Sequence, residues 1–191
     1  MMNEFQLSVK QNILFEFVKL KHGSQLRKYT NEPYTNHVLS VAEIVSRYED
    51  GCVEIALCHD LFEDTNCNFT ELYKNMVGIG YEPRFAYEVC THVTELTDVF
   101  TTNAYPYFNR DKRKKLEAER LSTISYKSQS VKYADLIDNT GSIVEHDPGF
   151  AVKYLKEKKD ILNVMVGGNK ELFDICVKQV ADSYVPQEEK V

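Results

Sequence analysis

Four residues from three predicted helices have the chemistry to bind one divalent metal ion. They are two histidines and two aspartates: His37, His59, Asp60 and Asp135. Burial of such ionisable side chains is costly unless they pair or ligate a metal. Two imidazoles and two carboxylates suit Mn²⁺ or Fe²⁺ and also admit Zn²⁺. An ion held in this way lowers the pKa of a bound water and generates a nucleophile near neutral pH.

The densest group of ionisable residues lies in the sequence CHDLFEDT, which begins at Cys58. His59 and Glu63 are four residues apart, and so are Asp60 and Asp64, so each pair shares one face of a helix. An isolated His-Asp dipeptide usually marks only the end of a helix in a solvated acidic loop. Here the preceding sequence VEIALC is apolar enough to be buried, which favours a functional role.

His37 and Asp135 each have a simpler interpretation of their own. A lone histidine on an amphipathic helix, such as His37, is usually structural. Asp135 lies in a mostly apolar helix with Asn139 one turn later on the same face, and a buried aspartate can cap a neighbouring helix. The metal site is therefore predicted from the four residues in combination.

Apolar residues recur at helical spacing along almost the whole chain. In the first predicted helix they form one stripe with a four-residue repeat and two further residues beside it: Phe5, Val9, Ile13 and Phe17, then Leu14 and Val18. Further helices are predicted over residues 35–47, 52–63, 69–77, 83–96, 109–122, 128–140 and 149–165, and around Leu172, Cys176 and Val180. Loops are predicted over residues 100–108 and 141–148.

Several helix ends carry recognisable capping residues. Asn68 and Glu71 have the spacing of an N-cap and its capping-box partner. Gly78 and Gly80 are suited to end the helix that follows. Asn169 comes after two glycines and is a suitable N-cap for the last helix.

The chain of 191 residues and 22.1 kDa has the size of one domain. With no alternating strand pattern, the prediction is one all-α domain of about eight or nine helices over residues 1–184, followed by a polar tail over residues 185–191. A net charge of −6 and a pI of about 5.4 disfavour nucleic acid as a partner, because binding phosphates requires a basic surface.

The cysteines and the N-terminus predict a cytoplasmic protein. The five cysteines are odd in number and show no CxxC spacing, which is typical of reduced thiols. The N-terminal segment carries charged residues among its apolar ones, unlike a signal peptide. No apolar stretch is long enough to predict a membrane span.

Three segments of the chain together resemble one known superfamily. Arg27 and Lys28 precede the sequence EPYTNH, which ends at His37; HDLFEDT begins at His59; and KYADLIDN ends at Asn139. The order His, His-Asp, Asp resembles the signature of the HD-superfamily metal-dependent phosphohydrolases. The flanking residues resemble the hydrolase domain of the RelA/SpoT homologues, which removes the 3′-pyrophosphate of (p)ppGpp. The length resembles that of the free-standing small alarmone hydrolases.

The resemblance implies a single HD-domain helical bundle with one Mn²⁺ ion, or alternatively Fe²⁺ or Zn²⁺. It implies that His37, His59, Asp60 and Asp135 are the metal ligands. It also implies that Glu63 and Asp64 orient or activate the water and assist the leaving group. Arg27 and Asn139 match residues near the substrate, and Lys28 and Tyr34 are weaker candidates for the same role.

The chain departs from the family pattern around this site. The spacing from Arg27 to His37 is one residue longer than in many relatives, and Val38 stands where relatives usually have proline. Leu136 and Asp138 replace what are commonly a basic residue and an aromatic or histidine. These two changes remove a positive charge and add a negative one near the pocket, so they bear on the substrate while the metal set stays intact.

The sequence RDKRKK, from Arg110 to Lys115, is the main basic cluster of the chain. Arg110 and Arg113 are three residues apart and could share a face that reaches the phosphates of a substrate. The alternative is a solvated helix face paired with Glu117 and Glu119. Both interpretations remain open at this point.

Three functional hypotheses follow. The first, implied by the resemblance, is Mn²⁺-dependent hydrolysis of (p)ppGpp to GDP or GTP and pyrophosphate. The second is another HD-type reaction, such as removal of phosphate from a nucleoside monophosphate or NADPH. The third is a non-catalytic nucleotide-binding module. All three expect a small nucleotide as the partner, with no membrane involved, and none predicts the oligomeric state.

Overall fold

The computed structural model describes residues 5–183, and within them the chain is all-helical, as predicted. The helices are α1 (Val9–His22), α2 (Thr35–Ser46), α3 (Val53–Cys58), α4 (Leu61–Asp64), α5 (Phe69–Ile79), α6 (Pro83–Leu96), α7 (Arg110–Leu121), α8 (Tyr126–His146), α9 (Pro148–Leu162) and α10 (Lys170–Ser183). Among the described residues, nine of these have at least six residues, and α4 is a single turn of four. The predicted polar tail, residues 185–191, lies outside the described residues.

Local sequence signals define several helix ends as predicted. The Asn68 side chain accepts a hydrogen bond from the backbone of Glu71 at 3.1 Å, which caps α5. Gly80 ends α5 with a φ of 99°, a conformation that glycine adopts without a steric penalty. The Asn169 side chain accepts a hydrogen bond from the backbone N–H of Leu172 at 3.2 Å and so caps α10.

The core is formed where α2, α3 and α8 pack against one another. Fully buried apolar residues from these helices include Val41, Val45, Leu57 and Leu136. Helix α10 packs on the other side of α8, and α5 and α6 pack together beside α3. The three central helices are also the three predicted to carry the metal ligands, so burial of the core fixes their relative positions.

The predicted apolar stripe of α1 is wrong at two of its members, Val9 and Ile13. Val9 and Ile13 are 77% and 49% exposed, whereas Leu14 and Val18 are fully buried. Phe5 lies before the helix begins. Helix α1 lies on the surface and contacts α3, α4 and α5, so its buried residues follow the spacing of Leu14, Val18 and His22, while Phe5 and Phe17 are partly buried against the core.

Two helix boundaries also differ from the prediction. The predicted helix over residues 52–63 is divided into α3 and α4, because the backbone turns at His59 and Asp60. The predicted loop over 141–148 is helical as far as His146. Packing overrides the weak helix propensity of Gly141, since α10 packs on this part of α8 and Gln179 donates to the carbonyl of Ile137 at 3.1 Å.

The five cysteines are unpaired and buried, in agreement with the prediction of free thiols. Burial raises the pKa of the Cys52, Cys90 and Cys176 thiols to about 12 and that of Cys67 to about 11. It also raises the pKa of Cys58, next to His59, well above its usual value. Over residues 5–183, no helix has both the length and the apolar character that crossing a bilayer requires.

Candidate metal centre

The structure brings the four predicted metal ligands together at the centre of the helical core. His37 is on α2, His59 and Asp60 form the turn between α3 and α4, and Asp135 is on α8. The ligand atoms of His37, His59 and Asp60 all lie within 4.8 Å of one another. Asp135 completes the group, with its Oδ1 atom 3.3 Å from His37 Nε2 and 4.0 Å from His59 Nε2.

Hydrogen bonds on the far side of each imidazole determine which nitrogen faces this centre. His59 Nδ1 lies 2.7 Å from the carbonyl oxygen of Ala56, and His37 Nδ1 lies 2.6 Å from Asp138 Oδ2. A carbonyl or carboxylate oxygen only accepts, so both Nδ1 atoms must donate. In the neutral rings, each Nε2 atom therefore turns a lone pair toward Asp60 and Asp135.

Both Nε2 atoms are buried and lack a hydrogen-bond partner among the described residues. They face carboxylate oxygens, with His37 Nε2 3.7 Å and His59 Nε2 2.9 Å from Asp60 Oδ2. A lone pair that faces a carboxylate oxygen at these distances is repelled unless a proton or a metal ion lies between the two atoms. This donor set of nitrogen and oxygen atoms fits a divalent metal ion.

The electrostatics of the centre also favour a cation. Burial alone would lower the pKa of His37, but the hydrogen bonds and charges of Asp135, Asp138 and Asp60 outweigh it and raise that pKa to about 9. The pKa of Asp135 stays well below its usual value despite burial, because Lys132 and the two imidazoles stabilise the carboxylate. The carboxylates thus remain ionised inside the core and attract positive charge.

Tyr34 and Asp60 form one further contact of this centre. The Tyr34 hydroxyl donates to Asp60 Oδ2 at 2.6 Å, and its ring stacks on His22 with centroids 5.1 Å apart. The loop that carries Tyr34 is held by backbone pairing, in which the N–H of Tyr34 donates to the carbonyl of Gln25 at 3.0 Å. From the sequence, Tyr34 was predicted only as a weaker substrate-binding candidate. In the structure its hydroxyl contacts Asp60, which is a predicted metal ligand.

The predicted acidic pair lies on α4, immediately after the metal centre. Glu63 Oε2 accepts a hydrogen bond from the backbone N–H of Asp98 at 3.1 Å. Glu63 is exposed to solvent as a residue, yet desolvation of its carboxylate by the surrounding atoms and the charge of Asp98 raise its pKa to about 7, which suits a group that exchanges protons near neutral pH. Asp64 instead accepts a hydrogen bond from Gln25 Nε2 at 3.0 Å. The two carboxylates therefore have different environments.

Three lysines near Asp98 and Asp135 form a cationic group. Lys114 belongs to the predicted basic cluster and Lys132 to the KYADLIDN segment, but none of the three was named as a site residue from the sequence. Lys132 Nζ lies 2.8 Å from Asp135 Oδ2, and Lys114 Nζ lies 3.2 Å from Asp98 Oδ2. Burial and the charge of Lys132 lower the pKa of Lys158 to about 8. Lys132 lies three residues before Asp135 on a helix, a spacing from which their ion pair could have been predicted. No local sequence pattern marks Lys158.

Arg27 and Asn139 lie beside the metal ligands, as the motifs imply. Asn139 Nδ2 donates to Asp135 Oδ1 at 2.5 Å. Arg27 Nη2 lies 2.9 Å from Asp138 Oδ2 and 3.4 Å from Asn139 Oδ1. Asn139 thus contacts Asp135 directly, and Arg27 is linked to Asp135 indirectly, through Asn139.

The other predicted substrate-binding residues lie farther out. Lys28 Nζ and Arg110 Cζ each lie 5.7 Å from the centroid of the Phe150 ring, on α9. Arg110 also pairs with both carboxylate oxygens of Glu157, at 2.7 and 2.9 Å. Arg113 donates to the backbone carbonyl of Phe108, so its contact is with the loop before α7 and not with the metal ligands.

A His, His-Asp, Asp centre carried by the core helices of an all-α domain defines the class of HD-type phosphohydrolase domains. No protein-family model matches the chain. Two curated relatives are guanosine-3′,5′-bis(diphosphate) 3′-pyrophosphohydrolases MESH1. That of Drosophila melanogaster is 29% identical over 150 residues, which are 76% of this chain and 74% of the relative. That of Xenopus tropicalis is 36% identical over 129 residues, which are 64% of this chain and 63% of the relative.

Two solved structures are also similar to this chain. A metazoan orthologue of SpoT, described as hydrolysing ppGpp and acting in starvation responses, superposes with a TM-score of 0.75 at 25% identity, covering 94% of this chain and 98% of that one. The crystal structure of lmo0812 from Listeria monocytogenes EGD-e shares the fold, with a TM-score of 0.58 at 24% identity over 80% of this chain and 96% of that one. The chain is thus a relative of the HD-type (p)ppGpp hydrolases, as its motifs predict.

Proposed function

We propose that this chain is a cytoplasmic (p)ppGpp 3′-pyrophosphohydrolase that uses Mn²⁺. The observation that carries the proposal is the pair of buried Nε2 atoms of His37 and His59, which have no hydrogen-bond partner within residues 5–183 and face Asp60 and Asp135. The relatives named as hydrolases of this nucleotide support the choice of substrate. The five unpaired thiols support the compartment.

His37, His59, Asp60 and Asp135 would hold the metal ion through two nitrogen and two oxygen donors. Bound there, a divalent ion supplies a Lewis acid for a phosphoryl oxygen and lowers the pKa of a water. The imidazoles contribute neutral donors because Ala56 and Asp138 hold their Nδ1 protons. Mn²⁺ suits this mixed imidazole and carboxylate set.

Glu63 is positioned to take the proton of the attacking water. Its pKa of about 7 lets it accept a proton at neutral pH and release it again. Water attacks the phosphorus attached to the 3′-oxygen, the bond from that phosphorus to the 3′-oxygen breaks, and pyrophosphate leaves. The 3′-oxygen takes up a proton, which the Glu63 and Asp64 pair supplies, and GDP or GTP is the other product.

The lysine group is suited to bind the pyrophosphate. Lys132 lies against Asp135, and Lys114 lies against Asp98 next to the Glu63 hydrogen bond. Positive charges fixed beside a reacting phosphate stabilise the negative charge that spreads over its oxygens in the transition state. Lys158 adds a third cation close to Lys132.

Five residues are the candidates for binding the nucleotide: Arg27, Lys28, Asn139, Arg110 and Arg113. Arg27 and Asn139 lie next to the metal centre and suit the sugar side of the substrate. Lys28 and Arg110 lie at the Phe150 ring and suit a more distant part, either the base or the 5′-phosphates. Arg113 is the weakest of these candidates, because its contact is with the Phe108 carbonyl.

Product analysis tests the proposal. The chain is incubated with ppGpp, pppGpp, a nucleoside monophosphate or NADPH, with Mn²⁺ or with a chelator, and pyrophosphate and phosphate are measured separately. We expect pyrophosphate and GDP or GTP from the first two substrates, and no turnover with chelator. A higher kcat/KM for phosphate release from NADPH or a monophosphate would instead assign another HD-type reaction. Metal binding with no turnover of any substrate would indicate a nucleotide-binding module.

A further inference from the structure

Asp138 contacts both the metal centre and a predicted nucleotide-binding residue through a single oxygen atom. Its Oδ2 lies 2.6 Å from His37 Nδ1 and 2.9 Å from Arg27 Nη2. The Asp138 side chain is 12% exposed, that of Arg27 14% and that of His37 1%.

The contact with His37 determines how that ring can act as a ligand. An acceptor at Nδ1 keeps the proton there, so the lone pair of Nε2 is directed toward Asp135 and Asp60, which with His59 would hold the metal ion. The His59 ring is oriented in the same way by the backbone carbonyl of Ala56. Because this acceptor belongs to the backbone, a substitution at position 56 does not remove it. His37 depends on a side chain, so its orientation can be tested by mutation.

The contact with Arg27 determines where the guanidinium lies. Arg27 is on the loop between α1 and α2, and its Nη2 atom also lies 3.4 Å from Asn139 Oδ1. Asp138 and Asn139 are consecutive on α8, so together they hold the guanidinium against this helix, one turn after Asp135. An arginine fixed in this way is pre-organised for a ligand, and its binding loses less conformational entropy.

We propose that Asp138 is a positioning residue for both parts of the site: it orients His37 as an Nε2 metal ligand and holds Arg27 in place for the nucleotide. The role toward Arg27 rests on the proposed function. The role toward His37 rests only on metal binding and not on the nucleotide reaction, because it is expressed in metal affinity alone. A carboxylate behind a ligating histidine typically contributes 10–100-fold to metal affinity.

The test compares Asp138→Ala and the nearly isosteric Asp138→Asn with the native chain, by titration with Mn²⁺ alone. We expect the dissociation constant for Mn²⁺ to rise roughly 10–100-fold in the alanine variant. A smaller rise is expected in the asparagine variant, whose side-chain oxygen still accepts a hydrogen bond but carries no charge. Glu145→Gln is the matched control, because it removes the same charge from an exposed position of α8 and leaves the affinity unchanged.

The nucleotide role is measured separately with ppGpp at saturating Mn²⁺. Arg27→Ala is expected to raise KM and leave the Mn²⁺ affinity unchanged, and Asp138→Ala is expected to alter both. Native Mn²⁺ affinity in Asp138→Ala and Asp138→Asn would overturn the role toward His37, and a native KM in both would overturn the role toward Arg27. If the native chain does not hydrolyse ppGpp, the proposed function fails while the Mn²⁺ titration still decides the role toward His37. Thermal unfolding in chelator verifies that each variant is folded. If Asp138→Ala is not folded, the comparison is made with Asp138→Asn alone.

Discussion

Gly168 lies so close to Tyr133 that a β-carbon at position 168 would be 2.6 Å from the ring atom Cε2 of the tyrosine. The same β-carbon would lie 2.8 Å from the backbone nitrogen of Ser130 and 3.0 Å from the backbone carbon of Gln129, which cannot move independently of α8. The loop before α10 thus contacts the helix that carries Asp135 more closely than any side chain at position 168 would permit.

Gly168→Ala is therefore expected to destabilise the protein by about 1–3 kcal/mol, the usual cost of overpacking. Urea denaturation measures the change. Gly78→Ala is the control, since a β-carbon at position 78, inside α5, would meet no neighbouring atom within 4 Å. That variant is expected to gain roughly 0.5–1 kcal/mol from helix propensity. Equal stabilities of Gly168→Ala and the native chain would contradict the close packing.

Asp60→Ala tests the metal centre directly. The Asp60 carboxylate lies 2.9 Å from His59 Nε2 and accepts a hydrogen bond from the hydroxyl of Tyr34, so its loss removes one predicted ligand and leaves the Tyr34 hydroxyl without its acceptor. We expect Mn²⁺ binding and turnover to be lost, with the far-ultraviolet circular dichroism of a folded helical protein retained. Turnover at the native rate in a variant verified to be metal-free would exclude a reaction centred on these residues.

Metal binding is expected to stabilise the fold, because the four ligands come from α2, the turn before α4, and α8. An ion at 100 times its dissociation constant contributes about 2.7 kcal/mol. For a domain of this size that corresponds to a rise in Tm of roughly 5–10 °C. Differential scanning calorimetry with Mn²⁺ and with chelator measures the shift. Asp60→Ala should show none, and an identical Tm for the native chain in both conditions would argue against a site of useful affinity.

The pH dependence of turnover is expected to follow Glu63. Its pKa is raised to about 7, so the carboxylate that accepts a proton becomes scarce as the pH falls below that value. A metal ion nearby lowers the pKa, so the midpoint of the acidic limb of kcat/KM should lie at or below pH 7. The Glu63→Gln variant should have a low kcat/KM at every pH and should lack this acidic limb. The same limb in Glu63→Gln would assign it to another group.

The sequence alone predicted the helical class and the residues that converge at the site. The apolar residues have helical spacing, and the His-Asp dipeptide together with the KYADLIDN segment carries a recognisable family order. Capping residues such as Asn68 and Asn169 predicted helix ends because their hydrogen bonds reach only two or three residues along the chain. These signals are local, and local patterns are readable without tertiary structure.

Contacts between distant segments could not be read in this way. Which face of α1 is buried depends on where α3 and α5 lie, so the predicted stripe through Val9 and Ile13 was wrong. The contact of Asp138 with Arg27 joins residues 111 positions apart, and it exists only because α8 packs beside the loop after α1. The roles of Lys114 and Lys158 likewise depend on the positions of α7 and α9, which no motif specifies.

The reactivity of the buried thiols can be used to measure local opening of the structure. A thiol with a raised pKa and no access to solvent does not react with alkylating reagents, so each cysteine is modified only when the structure around it opens. Cys58 adjoins the metal centre, whereas Cys176 lies on α10. Mass spectrometry of a timed alkylation would therefore rank the segments by how often they open, and added Mn²⁺ should slow the modification of Cys58 most.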